Sequence, residues 1–213
     1  MNFWITLLAH QATWFAAVIG ASKGSGGSGV LAVVLFVAWR LAISPHRGLE
    51  ARLGALALAL GWGLESLWVG LGLVSYAAPA GLGLAPAWIL ALWVGFALTV
   101  VPLLGALHAR PLVAALVGAV GGPSAYWGAG EGWGAVQLAE PTGLALSALA
   151  FGWALAMPLL MTVARRGLRA RSAGPAAAPE QEAGDQQEHG HQAHQGRDPA
   201  RGSPSHHADM QRV

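Results

Sequence analysis

The 213 residues contain no cysteine. No disulfide framework and no thiolate site is therefore available, and the redox compartment cannot be read from cysteine usage. Charge is the second shortage. Asp, Glu, Lys and Arg make up 10% of the chain, against about 25% in a soluble domain. The shortage is also uneven: residues 172–213 hold nine of the 22 charged groups, leaving 13 for the first 171 residues. A phosphate loop, a nucleophile elbow, a zinc-protease motif and a dinucleotide fingerprint are all missing. No catalytic residue, metal site or cofactor is assigned on that basis. The opening MNFWITLLAHQATWFAAVIGA lacks a basic n-region and a small-x-small cleavage site, so it reads as a first membrane helix and not as a signal peptide.

What the chain has is apolar length. Hydrophobic residues make up 54% of it, and mean hydropathy is +0.49. A spanning helix needs about 20 mainly apolar residues, and six segments meet that demand: 3–21, 27–44, 52–76, 86–107, 111–136 and 142–164. The expected fold is an all-α polytopic transmembrane bundle over residues 1–171. Pro86 and Pro111 suit first helical turns, where a missing N–H costs nothing. The fifth segment holds Gly121, Gly122 and Pro123 near its middle and is expected to kink or break there. From residue 172 large apolar side chains almost vanish. Such a composition cannot bury enough surface to order itself, so 172–213 reads as a disordered cytoplasmic tail.

The pI near 9.7 would suggest nucleic acid in a soluble protein. Here the cations flank apolar segments, and the bilayer is the expected partner, with no role for nucleic acid. Loops on the N-terminal side carry Arg47, Arg52, Arg110, Arg165, Arg166, Arg169 and Arg171, while the opposite loops carry only Lys23. That bias places both termini in the cytoplasm of a bacterial inner-membrane protein. Arg40, four residues from the cytoplasmic end of its segment, is expected to snorkel outward.

Glu65 is the sharpest candidate. Counted from residue 52 it falls near the bilayer midplane, where an ionised side chain must face the bundle interior and find a partner. A proton or cation site satisfies that demand, and so does a neutral acid bonded to a neighbouring helix. Gly121, Gly122, Pro123 and Ser124 lie at similar depth. A half-helix starting at Pro123 would aim free N–H groups at Glu65, a device of transporters; a proline kink with glycines for close packing is the plainer reading. His10, Gln11, Arg40 and Thr99 form a second candidate set on the cytoplasmic side, either a polar site or ordinary interhelical bonds. Trp4, Trp88 and Trp133 fit an interfacial belt, whereas Trp62 and Trp68 flank Glu65 and are expected to pack or shield it. The tail histidines His189, His191, His194, His206 and His207 have the composition of metal-binding tracts but no defined ligand geometry.

Four motifs then combine: NFW…QATWFAAV at the start, W-x-x-x-L-W-x-x-F-x-x-T from Trp88 to Thr99, GAVGGPSAYWGAG at 118–130 and WALAMP at 153–158. Together they resemble the bacterial inner-membrane family called domain of unknown function 2878, over about residues 1–165. The resemblance implies a small multi-pass membrane protein with no established activity. It also implies an acid at position 65, commonly aspartate in that family. Three function classes follow: a small-solute or proton-coupled transporter, a non-catalytic assembly subunit acting in a homo-oligomer or with a membrane-protein partner, and a lipid-modifying enzyme. Glu65 and the Gly-Gly-Pro run favour the first, and glycine-rich helices suit the second. The enzyme reading ranks lowest, since only the cytoplasmic set offers convergent polar groups.

Overall fold

A computed structural model describes residues 3–80 and 84–172. The tail and its histidines lie outside the described residues. The first two helices, α1 (Phe3–Ser22) and α2 (Gly26–Ile43), form a hairpin around Gly24, whose φ of +76° suits glycine. They close tightly because Gly29 faces Ala17: a Cβ at Gly29 would stand 2.8 Å from the Ala17 Cα. Small residues are how membrane helices bring their backbones this near.

Helix α3 (Arg47–Gly70) starts five residues before the expected 52 and ends six before the expected 76. Its predicted last turn is instead a strand, β1 (Val74–Tyr76), paired antiparallel with β2 (Val136–Leu138) so that Tyr76 stands opposite Val136. This two-stranded cap follows the C-terminal ends of α3 and of α6 (Pro111–Trp133), and so lies at one end of the bundle.

The fourth expected helix, 86–107, is broken. It becomes α4 (Ala87–Ala97), a single turn α5 (Val100–Leu103) and a 3-10 turn at Gly105–Leu107. Pro102 explains the position of the break, because its ring would collide with the Leu98 carbonyl if the helix ran through. The Thr99 hydroxyl and backbone N–H both donate to the Phe96 carbonyl, at 2.6 and 2.9 Å, satisfying one of the groups a helix end leaves open. Helix α6, by contrast, runs uninterrupted through Pro123. Of the kink or break expected there, the break is absent because α6 lies along α7 (Thr142–Ser172), the most extensive helix pair in the fold, and packing on both sides of one lost backbone bond holds the helix together. At its end Gly134, with φ +64°, returns its N–H to the Gly130 carbonyl, a left-handed cap that stops the helix.

Among the described residues, five helices are long and apolar enough to cross a membrane, and α4 is a shorter apolar helix. The outer faces carry Leu8, Leu31, Leu35, Leu112, Leu116, Val120 and Phe151, all more than half exposed. Arg40, Glu50, Glu65 and Thr6 are buried. Apolar groups outside and charged groups inside invert the soluble pattern and fit a lipid surrounding.

Candidate functional site

The site is built around Glu65, which is fully buried. With α3 ending at Gly70, Glu65 sits five residues from the helix end, about 8 Å along the axis. Trp93 lies about 9 Å into α4 and Tyr126 about 10 Å from the end of α6, measured from the same end of the bundle. Glu65 is thus nearer the capped end than the middle of its helix. Gly61, one turn earlier on α3, makes room for the Trp93 indole: a Cβ at Gly61 would stand 2.5 Å from the ring. Trp93 then donates its Nε1–H to Glu65 Oε1 at 2.7 Å. The Tyr126 hydroxyl donates to the same oxygen, and the Tyr76 hydroxyl donates to Oε2.

Tyr76 reaches Glu65 through the pleat of β1, where Val74 and Tyr76 turn inward and Ser75 outward. A second layer of rings fixes these donors. Trp153 of α7 stacks on Trp93 with centroids 4.2 Å apart and planes 12° from parallel. Trp68 meets Tyr126 edge-on, and Trp88 meets Tyr76 edge-on. Gly122 seats Trp153, since a Cβ there would stand 2.2 Å from the indole. The two helices repeat one device: Gly61 and Gly122 each cradle a tryptophan, and four residues later Glu65 and Tyr126 meet.

The donor count restricts the chemistry. An ionised carboxylate is acceptor-only and can accept all three donors. A protonated acid carries its own O–H and needs an acceptor. The Trp93 N–H cannot serve, because indole only donates. One tyrosine must then turn from donor to acceptor and direct its hydrogen elsewhere. Protonation of Glu65 is therefore tied to the orientation of a tyrosine hydroxyl.

Tyr126 also belongs to the wall of a cavity of about 450 Å³ bounded by α1, α4, α6 and α7. The lining is mainly apolar and aromatic, with Trp14, Trp93, Phe96 and Trp153 prominent. Polar groups come from His10, Gln11, Ser124 and Tyr126. Its volume lies within the range of about 300–1,000 Å³ usual for small-molecule sites.

The sequence-predicted residues distribute as follows. Gly121, Gly122 and Ser124 line the cavity, and Pro123 is buried inside α6. Because α6 is continuous, it offers Glu65 a phenol three residues beyond Pro123 in place of the expected free backbone N–H groups. His10 and Gln11 line the cavity as well, the His10 ring packing edge-on against Phe36 and Phe96. Thr99 serves the backbone of Phe96. Arg40 does not snorkel: it is buried and pairs with Glu50 Oε1 at 2.5 Å, and the same oxygen accepts the Ser44 hydroxyl at 2.8 Å. Trp88 is buried near the start of α4, and Trp62 faces outward at 57% exposure rather than shielding the acid. Among the described residues, no three His, Asp or Glu side chains gather as a metal site. Sequence reasoning missed Tyr76, Trp93, Tyr126, Trp153 and Glu50. One signal was available: the chain has two tyrosines, and both end on Glu65.

Fold and site together define a multi-pass helical membrane protein with a buried, fully hydrogen-bonded acid beside an aromatic cavity. No curated protein and no solved structure matches the chain. The family profile described as Protein of unknown function (DUF2878) matches residues 3–159, and the chain belongs to that family.

Proposed function

We propose that the protein carries a small solute across the membrane, with a proton exchanged at Glu65 coupled to occupancy of the neighbouring cavity. The observation behind this reading is the double role of Tyr126, a residue of the cavity wall whose hydroxyl donates to Glu65. A solute that accepts a hydrogen bond from Tyr126 frees a lone pair of Glu65, and protonation of Glu65 turns a tyrosine outward. Each event favours the other through one shared hydrogen, which is a coupling between two sites in the thermodynamic sense.

The test is proton movement in vesicles loaded with a pH-sensitive dye, challenged with amino acids, sugars, aromatic acids, single-chain amphiphiles and inorganic ions, each read against protein-free vesicles. Solute-dependent proton flux is expected in the wild type and is lost in Glu65→Gln. Glutamine keeps one oxygen for Trp93 and Tyr126 and can donate to Tyr76, so this variant folds. Glu131→Gln, an exposed acid on α6, leaves flux intact. Folded protein that moves no proton with any solute ends the carrier reading and turns attention to an assembly role. Turnover of vesicle lipid would point instead to an enzyme.

A further inference from the structure

The cavity walls differ in how they are closed. Trp14 and Phe15 of α1 pack edge-on against Trp133 of α6, which shuts the gap between these helices toward the capped end. Leu104, just after α5, lines the cavity toward the opposite end, and α5 touches both α1 and α7. α1 and α6 meet only sparsely, while α1 packs along α2 and α6 along α7. The lining residues on that side are the open ones: Gln11 on α1, and Val117, Gly121, Ser124 and Ala125 on α6 are all exposed. Gln11 and Gly121 each lie about 12 Å or more from either end of their helices. At that depth, the side of a membrane-crossing helix faces acyl chains and not water.

We propose that the cavity opens sideways to the lipid between α1 and α6, and that its ligand is a bilayer-dissolved single-chain amphiphile. The apolar tail lies against Trp153, Met157 and Phe96, and the polar head meets His10, Gln11 and Tyr126. The cavity volume of about 450 Å³ falls in the lower half of the range usual for small-molecule sites, which favours one chain over two. The inference deepens the carrier reading, which it takes as its basis, by naming the substrate class and its route of entry.

The test uses vesicles holding the full chain and palmitic acid bearing a diazirine in its tail, irradiated and mapped by mass spectrometry. Adducts are expected on the inner-wall residues Trp153 and Met157 as well as on the lipid-facing Phe151 and Leu155. Gly121→Trp sets an indole at the mouth, where a side chain meets nothing within 4 Å. This variant should lose the Trp153 and Met157 adducts and keep those on Phe151 and Leu155. Adducts confined to the outer residues overturn the proposal, as do inner adducts that persist in Gly121→Trp. Inner labelling by a membrane-impermeant aryl diazirine sulfonate, with none from palmitic acid, places the mouth in water and also overturns it, leaving the carrier reading standing. The predicted labelling without solute-dependent proton flux retains the amphiphile site and removes carriage.

Discussion

Replacing Glu65 with leucine asks whether the three donors depend on the acid. Leucine has similar bulk and no lone pair, so Glu65→Leu strands two tyrosine hydroxyls and the Trp93 N–H in a buried site. By the rule for soluble proteins each stranded donor costs about 1–3 kcal/mol. Interhelical bonds measured inside a membrane protein are weaker, averaging about 0.6 and reaching about 1.7 kcal/mol, because the unfolded chain in the membrane also finds partners. The second scale applies here and gives about 2–5 kcal/mol for three bonds, or roughly 30-fold to 4,000-fold in the unfolding equilibrium. Reversible unfolding in mixed micelles titrated with sodium dodecyl sulfate, followed by the fluorescence of the ten tryptophans, measures it. The combination Glu65→Leu, Tyr76→Phe, Tyr126→Phe removes two of the three stranded donors and should recover about two-thirds of the loss. If Glu65→Leu matches the wild type, or if the combined variant is no more stable than Glu65→Leu alone, the hydrogen-bonded account of this centre is wrong.

Three further outcomes follow from the packing and the charges. Gly122→Ala pushes a methyl into the Trp153 ring and should cost about 1–3 kcal/mol, whereas Gly121→Ala, with nothing within 4 Å, should be neutral or stabilising; the same unfolding assay separates these adjacent glycines. Arg40→Met leaves Glu50 buried without its cation and should cost about 3–5 kcal/mol, much of it restored by adding Glu50→Leu; equal stability of Arg40→Met and the wild type would deny the pair any role in the fold. Reporter fusions after Ser44, Leu107 and Ser172 should read cytoplasmic and those near Gly24, Ala80 and Glu140 periplasmic, and a periplasmic reading after Ser172 would reverse the orientation drawn from the loop arginines.

The helices were legible because their signal is local. A run of about 20 apolar residues leaves few alternatives in lipid, and all six segments appear as helix over most of their length. The partners of charged groups were not legible in the same way. Glu65 bonds to residues 11, 28 and 61 positions away, and no periodicity brings such distances together. Arg40 was closer to solution, since Glu50 stands only ten residues on, across a short turn. Its partner is not legible because Glu50 falls between the expected segments 27–44 and 52–76, where a polar turn is the plain reading. In the fold it occupies the first turn of α3, where an acid also suits the positive end of the helix dipole.

The prolines show why composition alone misplaced the irregular backbone. Pro102, Pro123 and Pro158 each fall within an apolar segment and each remove one helical bond, yet only the first ends its helix. Pro123 and Pro158 lie in α6 and α7, where long helix on either side of the proline packs against the partner helix. Beyond Pro102 only a few residues remain before Arg110 and Pro111, too few to regain the cost of continuing a distorted helix. The chain turns there instead, through α5 and the 3-10 turn. That turn brings Leu104 to the cavity and ties α1 to α7 at the uncapped end. The break expected at Gly121–Pro123 would have supplied the acid with backbone donors. The break at Leu98–Thr99 helps shape the chamber beside it, and the continuity of α6 keeps Gly122 against Trp153 and Tyr126 against Glu65.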